Sequence, residues 1–156
     1  MVSPELLRRY PFFGYLDEKQ LRAVAMIAEE VVPDTGETLF EIEQPAEALY
    51  LLTEGSIELY YVVADELAPK LRKEFYISDI GPGEVFGISA LIEPYIYTSA
   101  GRVAGPSRVL KIEGAGLRAL CELDCKLGYG LMRQLAKAAL ERLHDTRVQL
   151  VAARAA

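Results

Sequence analysis

The segment Gly81-Pro-Gly-Glu-Val-Phe-Gly-Ile-Ser-Ala-Leu91 is where the sequence first points to chemistry. Two glycines flank Pro82 in a turn, and Gly87 stands where a short helix is expected to begin. Such a pattern brings backbone amides close to a bound group, often a phosphate. Other chemistry has less behind it. His144 is the single histidine; it falls in a helical stretch beside Asp145 and Arg147, with no Ser or Cys nucleophile near it in sequence, and reads as a surface residue. Cys121 and Cys125 share a helical face, but no further Cys or clustered His completes a metal site, so both read as small buried hydrophobes. Carboxylates at 41, 43, 47, 54 and 58 fit turns and solvent-facing strand positions, and none forms a distinct general-acid pair. The expectation is binding without catalysis and without a metal.

The elements that must position this segment follow from periodicity. Pro4 opens a short helical turn over 4–9. Asp17 followed by Gln20 resembles a capping box, and Leu21, Val24, Ala25 and Ala28 recur at helical spacing, which predicts a helix over 17–29. From Val31 the pattern changes to short β segments divided by turn residues: Thr38–Phe40, Ala48–Thr53, Ile57–Val63 and Glu74–Ile80, then 97–104 and 107–113. Residues 64–70 read as a loop at the tip of a long hairpin. Lys70, Arg72 and Lys73 beside it read as charge protecting an edge strand. A short helix around Leu117–Cys121 and a long one over 127–150 close the chain. Many short strands with regular turns predict a sandwich or closed barrel. The reading is one domain over 1–156, with a barrel at about 30–113 and C-terminal helices at about 114–151.

Composition narrows the function class. With 51% apolar residues the chain is expected to be globular. No apolar run approaches the roughly 18 residues that span a bilayer, and the first ten residues carry charges where a signal peptide needs an apolar region. A cytoplasmic protein without a membrane partner is expected. The net charge of −6 argues against nucleic acid, whose binding depends on neutralising phosphates. With no helix-turn-helix after the long helix, a transcription-factor role for this chain alone is not expected.

The order and spacing of these features resemble the cyclic-nucleotide-binding domain family. The matching residues are Phe12-Phe13, Gly36-Glu37, Leu39-Phe40, Leu49-Tyr-Leu-Leu52, Gly55, Gly81-Pro-Gly-Glu-Val-Phe-Gly87 and Ala90-Leu91, spread over nearly the whole chain. Glu43 departs from the pattern, standing where the family usually has Gly. The resemblance implies a mainly β fold with flanking helices: a cyclic-nucleotide-binding-type β jelly-roll barrel with N-terminal helices and a long C-terminal helix. It also makes the opening segment the start of a phosphate-binding cassette formed by Phe86, Gly87, Ile88, Ser89, Ala90, Leu91, Thr98, Ser99 and Ala100.

In the family, a Glu just after the Phe-Gly pair accepts from the ribose 2′-hydroxyl, and an Arg about ten positions later neutralises the cyclic phosphate. Here those positions carry Ile88 and Thr98; Ser99 and Ala100 match the small residues that follow the Arg. Neither replacement can do the family's job. Hydrogen bonds to charged groups contribute roughly 1.5–3 kcal/mol each, so losing both weakens binding on the order of a hundredfold to ten-thousandfold. Cyclic nucleotide is therefore disfavoured as a cofactor. Arg102 is the candidate substitute anion contact, but on a strand it would lie about 13 Å from Thr98 at roughly 3.3 Å per residue, and the simpler expectation is a solvated or ion-paired surface residue. Tyr95 and Tyr97 either line a remodelled pocket for an apolar or aromatic ligand or pack at the barrel mouth.

Within the long helix, Met132, Ala136, Ala139, Leu143, Thr146 and Leu150 alternate steps of four and three. Leu127, Leu131, Leu135 and Leu140 make a second stripe. One stripe suffices for packing on the barrel, so a homodimer through this helix is expected. The expected function is a non-catalytic regulatory or sensory module with a degenerate cAMP/cGMP site. The alternatives are a sensor of a different small ligand or anion and a purely structural partner-binding domain.

Overall fold

Local side-chain hydrogen bonds set the starts of three helices. Ser3 accepts from the amide of Glu5 at the head of α1 (Pro4–Arg8). The anticipated capping box opens α2 (Glu18–Met26): Gln20 N donates to Asp17 Oδ1 at 2.8 Å, and Asp17 N donates to Gln20 Oε1 at 2.9 Å. Asp124 caps α4 (Cys125–Ala155) by accepting from Leu127 N, while its second oxygen accepts from Gln20 Nε2 at 3.0 Å. One carboxylate thus starts the last helix and ties it to α2. The structure, a computed structural model, describes residues 1–65 and 67–156, with the side chains of all of these except 65 and 69.

Among the described residues eight strands run between the helices: β1 (Ala28–Val31), β2 (Thr38–Phe40), β3 (Ala48–Glu54), β4 (Ile57–Asp65), β5 (Ala68–Ile80), β6 (Val85–Phe86), β7 (Ala100–Val103) and β8 (Arg108–Glu113). They form two four-stranded antiparallel sheets, in the orders β1-β8-β3-β6 and β2-β7-β4-β5. The sheets face one another over a core that includes Leu49, Leu51, Ile57, Ile80, Leu110 and Ile112. The helix α3 (Gly114–Leu123) leads from β8 into α4. Leu127, Leu131, Leu135 and Ala138 on α4 are buried, and the Tyr15 hydroxyl donates to Leu127 O at 2.8 Å. A Cβ on Gly130 would come within 2.1 Å of the Tyr15 ring, so the close approach there needs glycine.

Four expectations shift. The helix predicted over 17–29 ends at Met26, because Ala28–Val31 is drawn into a ladder with Val109–Ile112. Glu29 faces Lys111 there and Glu30 pairs with Arg108 at 2.8 Å, so tertiary pairing overrides helical spacing. The loop expected over 64–70 is shorter: β4 runs to Asp65 and β5 resumes at Ala68, while residue 66 lies outside the described residues. The strand expected from 97 begins at Ala100. Cys125, expected to be buried, is exposed at the first residue of α4, and Cys121 is half-buried.

Residues 95–97 pair instead with the loop after β2. Tyr97 N donates to Gln44 O at 2.9 Å, Glu43 N to Tyr97 O at 2.8 Å, and Ala46 N to Tyr95 O at 2.7 Å. Glu43 reaches this geometry at φ 70°, in the left-handed region that suits glycine. Glu43→Gly is therefore expected to raise unfolding stability by about 0.5–1 kcal/mol. Urea denaturation checks it: the midpoint should rise with no change in slope.

Candidate functional site

The glycine turn is held before it reaches the site. Gly81 N donates to Glu84 Oε1 at 2.9 Å, and Gly83 N donates to Leu52 O at 2.7 Å. β6 then pairs with β3, Tyr50 opposite Phe86 and Leu51 opposite Val85. The chain turns at Gly87, φ 69° and ψ 33°, into a 3-10 turn over Ile88–Leu91. A Cβ on Gly87 would lie 3.2 Å from both Ala48 O and the Tyr50 ring and 3.3 Å from the Tyr97 ring. Gly87 thus meets both a backbone and a packing demand. Arg118 of α3 braces the turn from behind, donating to Ala90 O at 2.6 Å with its guanidinium 4.3 Å over the Tyr95 ring.

These elements enclose a cavity of about 230 Å³. Phe40, Leu59, Ile77, Phe86, Ile88 and Tyr97 form its apolar walls, and Ser89, Thr98 and Ser99 its polar side. Of the cassette residues named from sequence, Phe86, Gly87, Ile88, Ser89, Thr98 and Ser99 meet at this cavity; Ala90, Leu91 and Ala100 are buried and do not line it. Thr98 and Ser99 lie in a bend ahead of β7, not on the strand itself.

Tyr97 links the parts. Its ring stacks on Phe40 at 4.1 Å, within a cluster that also holds Tyr50 and Phe86. Its hydroxyl donates to Ala48 O at 2.6 Å and accepts from Ala48 N at 3.2 Å. Burial pushes the phenols of Tyr50 and Tyr97 above their ordinary value. Of the two tyrosines that flank the cassette, Tyr97 therefore does both things considered for it, packing in the barrel and lining the cavity. Tyr95 does not line the cavity and stacks against Arg118.

Arg102 does not line the cavity. It donates to Glu74 Oε1 at 2.9 Å and sits 4.7 Å over the Tyr60 ring. That hydrogen bond holds the Glu74 carboxyl below the usual carboxylate range. Arg72 likewise pairs with Glu41 at 2.8 Å. The cation that does reach the cavity is Arg142 of α4, which lines it together with Ala139 and Thr146. Its Nη2 donates to Val85 O at 2.8 Å, and its Nη1 lies 3.5 Å from Glu84 Oε2. Sequence reasoning missed this residue although a signal was present. The barrel-facing stripe Leu127, Leu131, Leu135, Ala138 continues at helical spacing into Arg142, a charge at an inward position.

A model of the cyclic nucleotide-binding domain matches residues 31–124. The chain belongs to the cyclic nucleotide-binding domain family. A crystal structure described as a cyclic nucleotide-binding protein, from Geobacter metallireducens, is 42% identical with a TM-score of 0.80, covering 92% of this chain and all of that one. The N-terminal domain of a transcriptional regulator from Streptomyces coelicolor is 26% identical at a TM-score of 0.64, covering 87% of this chain and 93% of that one. A protein of Rhodopseudomonas palustris named as a potassium channel is 26% identical over 120 residues, 77% of this chain. The chain spans 27% of that relative's length. Among the described residues no helix is long and apolar enough to cross a membrane, and no group of three or more His, Cys, Asp or Glu is placed to hold a metal ion.

The dependence of the site on Tyr97 gives a direct test. Tyr97→Phe keeps the stack but leaves buried polar atoms of Ala48 without the hydroxyl, which is expected to cost about 1–3 kcal/mol. Chemical denaturation of the two proteins reads that difference.

Proposed function

We propose that this chain is a non-catalytic regulatory module whose cyclic-nucleotide site no longer reads cAMP or cGMP. The observation that carries the proposal is the pair Ile88 and Thr98 at the cavity. Ile88 has no acceptor for a ribose hydroxyl, and Thr98 has no charge for a cyclic phosphate. Arg102, occupied by Glu74 and Tyr60, supports the same reading. A cyclic phosphate brought into these walls would lack the family's cation at position 98 and its ribose acceptor at position 88. The cavity that remains, with Arg142 on its rim, favours a sensor of another small ligand over a barrel that serves structure alone.

Calorimetry at micromolar protein is expected to show no heat of binding for cAMP or cGMP. A micromolar dissociation constant for either would overturn the proposal. The double variant Ile88→Glu with Thr98→Arg is expected to gain measurable cAMP affinity, since two charged contacts restore on the order of a hundredfold or more.

The proposed module works as a homodimer joined along α4. Of the seam read from the sequence, Met132, Leu143 and Leu150 are 38%, 42% and 50% exposed, while Ala139 and Thr146 line the cavity; Leu140 of the other stripe is also in water, 64% exposed. Leu127, Leu131 and Leu135 are already buried within the chain. A second apolar stripe on the same helix is an interaction surface, and closed two-fold dimers are the commonest way to cover one. Light scattering is expected to give twice the chain mass of 17.3 kDa, and Leu143→Glu with Leu150→Glu a folded monomer. A wild-type mass equal to one chain would refute the dimer.

A further inference from the structure

We infer that the cavity beside Gly87 binds a small organic carboxylate, an apolar body bearing one negative charge, with Arg142 of α4 as its counter-ion. The inference rests on the proposal that this barrel is a binding module that has lost its nucleotide contacts.

Four observations converge on that class. The first is the wall: Phe40, Phe86, Ile88 and Tyr97 offer an apolar and largely aromatic enclosure. The second is the cation. Arg142 is the only positively charged residue lining the cavity among the described residues, and its side chain is 17% exposed. Two of its five N–H groups are engaged, one with a backbone carbonyl and one with a carboxylate at 3.5 Å. A planar guanidinium with donors to spare matches a carboxylate in bidentate geometry.

The third observation is a set of unpaired hydroxyls. Ser89, Thr98 and Ser99 line the polar side, and no side-chain hydrogen bond engages them among the described residues. Ser89 and Ser99 are half-buried and Thr98 is exposed, so all three hydroxyls can donate to a bound anion at the edge of the cavity.

The fourth is charge and size. Glu84 faces Arg142, and Asp79, Glu141 and Asp145 line the adjoining opening with it. Arg142 already faces several carboxylates here, so a dianion such as phosphate meets more repulsion than a monoanion does. The volume of about 230 Å³ is under the ~300–1,000 Å³ typical of drug-sized ligands, so the apolar body is compact.

The test uses the full chain and ligand-observed NMR with calorimetry. Benzoate is the probe and benzamide its neutral counterpart; inorganic phosphate and cAMP are comparators. Benzoate is expected to bind with a millimolar or tighter dissociation constant, and benzamide at least about tenfold more weakly. Arg142→Gln is expected to weaken benzoate by about tenfold or more and Arg142→Lys by less, because Lys keeps the charge but not the fork. Ala139→Phe, which fills the cavity from α4 and leaves Arg142 in place, is expected to abolish binding; it keeps the test valid if the Arg142 variants do not fold. The inference is overturned if benzoate fails to bind at millimolar concentration, if benzamide binds equally well, if Arg142→Gln or Ala139→Phe retains full affinity, or if phosphate binds more tightly. Micromolar cAMP binding would instead refute the loss of nucleotide recognition, a separate arm of the same experiment.

Discussion

The contact on which the rest of this structure depends is the Tyr97 hydroxyl, held between the N–H and C=O of Ala48. It ties the irregular segment ahead of β7 to β3 at the point where the binding segment enters the core. Ala48 begins β3, the strand that also pairs with β6 and so sets the height of Gly87. Tyr97 closes the irregular stretch that returns from the cassette, and its backbone is pinned to the loop at 43–44. With that hydroxyl buried and bonded, the ring must stack on Phe40, and the space left beneath Gly87 becomes a defined cavity. A backbone–side chain pair of this kind is worth more inside than its solution value suggests, because the alternative is an unsatisfied group in a low-dielectric core.

The arrangement at the cavity combines an aromatic wall with a cation. The tyrosines at the centre, whose phenols burial pushes further above their ordinary value, shape the site without charging it. Charge arrives from outside the barrel, on a helix. Because Arg142 also holds Val85 and Glu84, whatever occupies its remaining donors acts on the attachment of α4 to the β6 turn. A ligand can shift such an equilibrium by no more than its differential affinity for the two arrangements. With one ion pair and one hydrogen bond in play, the energy involved is a few kcal/mol at most.

Features that rest on local chemistry are legible in the chain itself. The capping box at Asp17–Gln20 forms as its residue types dictate, since a side-chain oxygen three residues from an orphan amide needs nothing from the rest of the fold. The strands around Leu49–Leu52 and Val109–Ile112 follow from apolar runs bounded by turns, and the left-handed Glu43 is marked by a position that favours glycine. The replacements at 88 and 98 can also be read directly, because what Ile and Thr cannot do is a property of the side chain alone.

What the tertiary structure decided was every feature set by partners distant in sequence. Helical spacing continued through Ala28, yet a ladder to Ile112 claimed that residue for a strand. An expected strand at 97–99 became a bend, because the loop at 43–46 supplied its hydrogen bonds from outside any sheet. Arg102, spaced like a candidate anion contact, went to Glu74 on a neighbouring strand. Arg142, some fifty residues beyond the cassette, was carried to its edge by α4, whose inward stripe holds it against Val85. Residue types and spacing by themselves determined the family and the barrel, because those depend on identity and on neighbours along the chain. The cation at the cavity was decided by packing, because a buried charge goes wherever three-dimensional contacts leave it a partner.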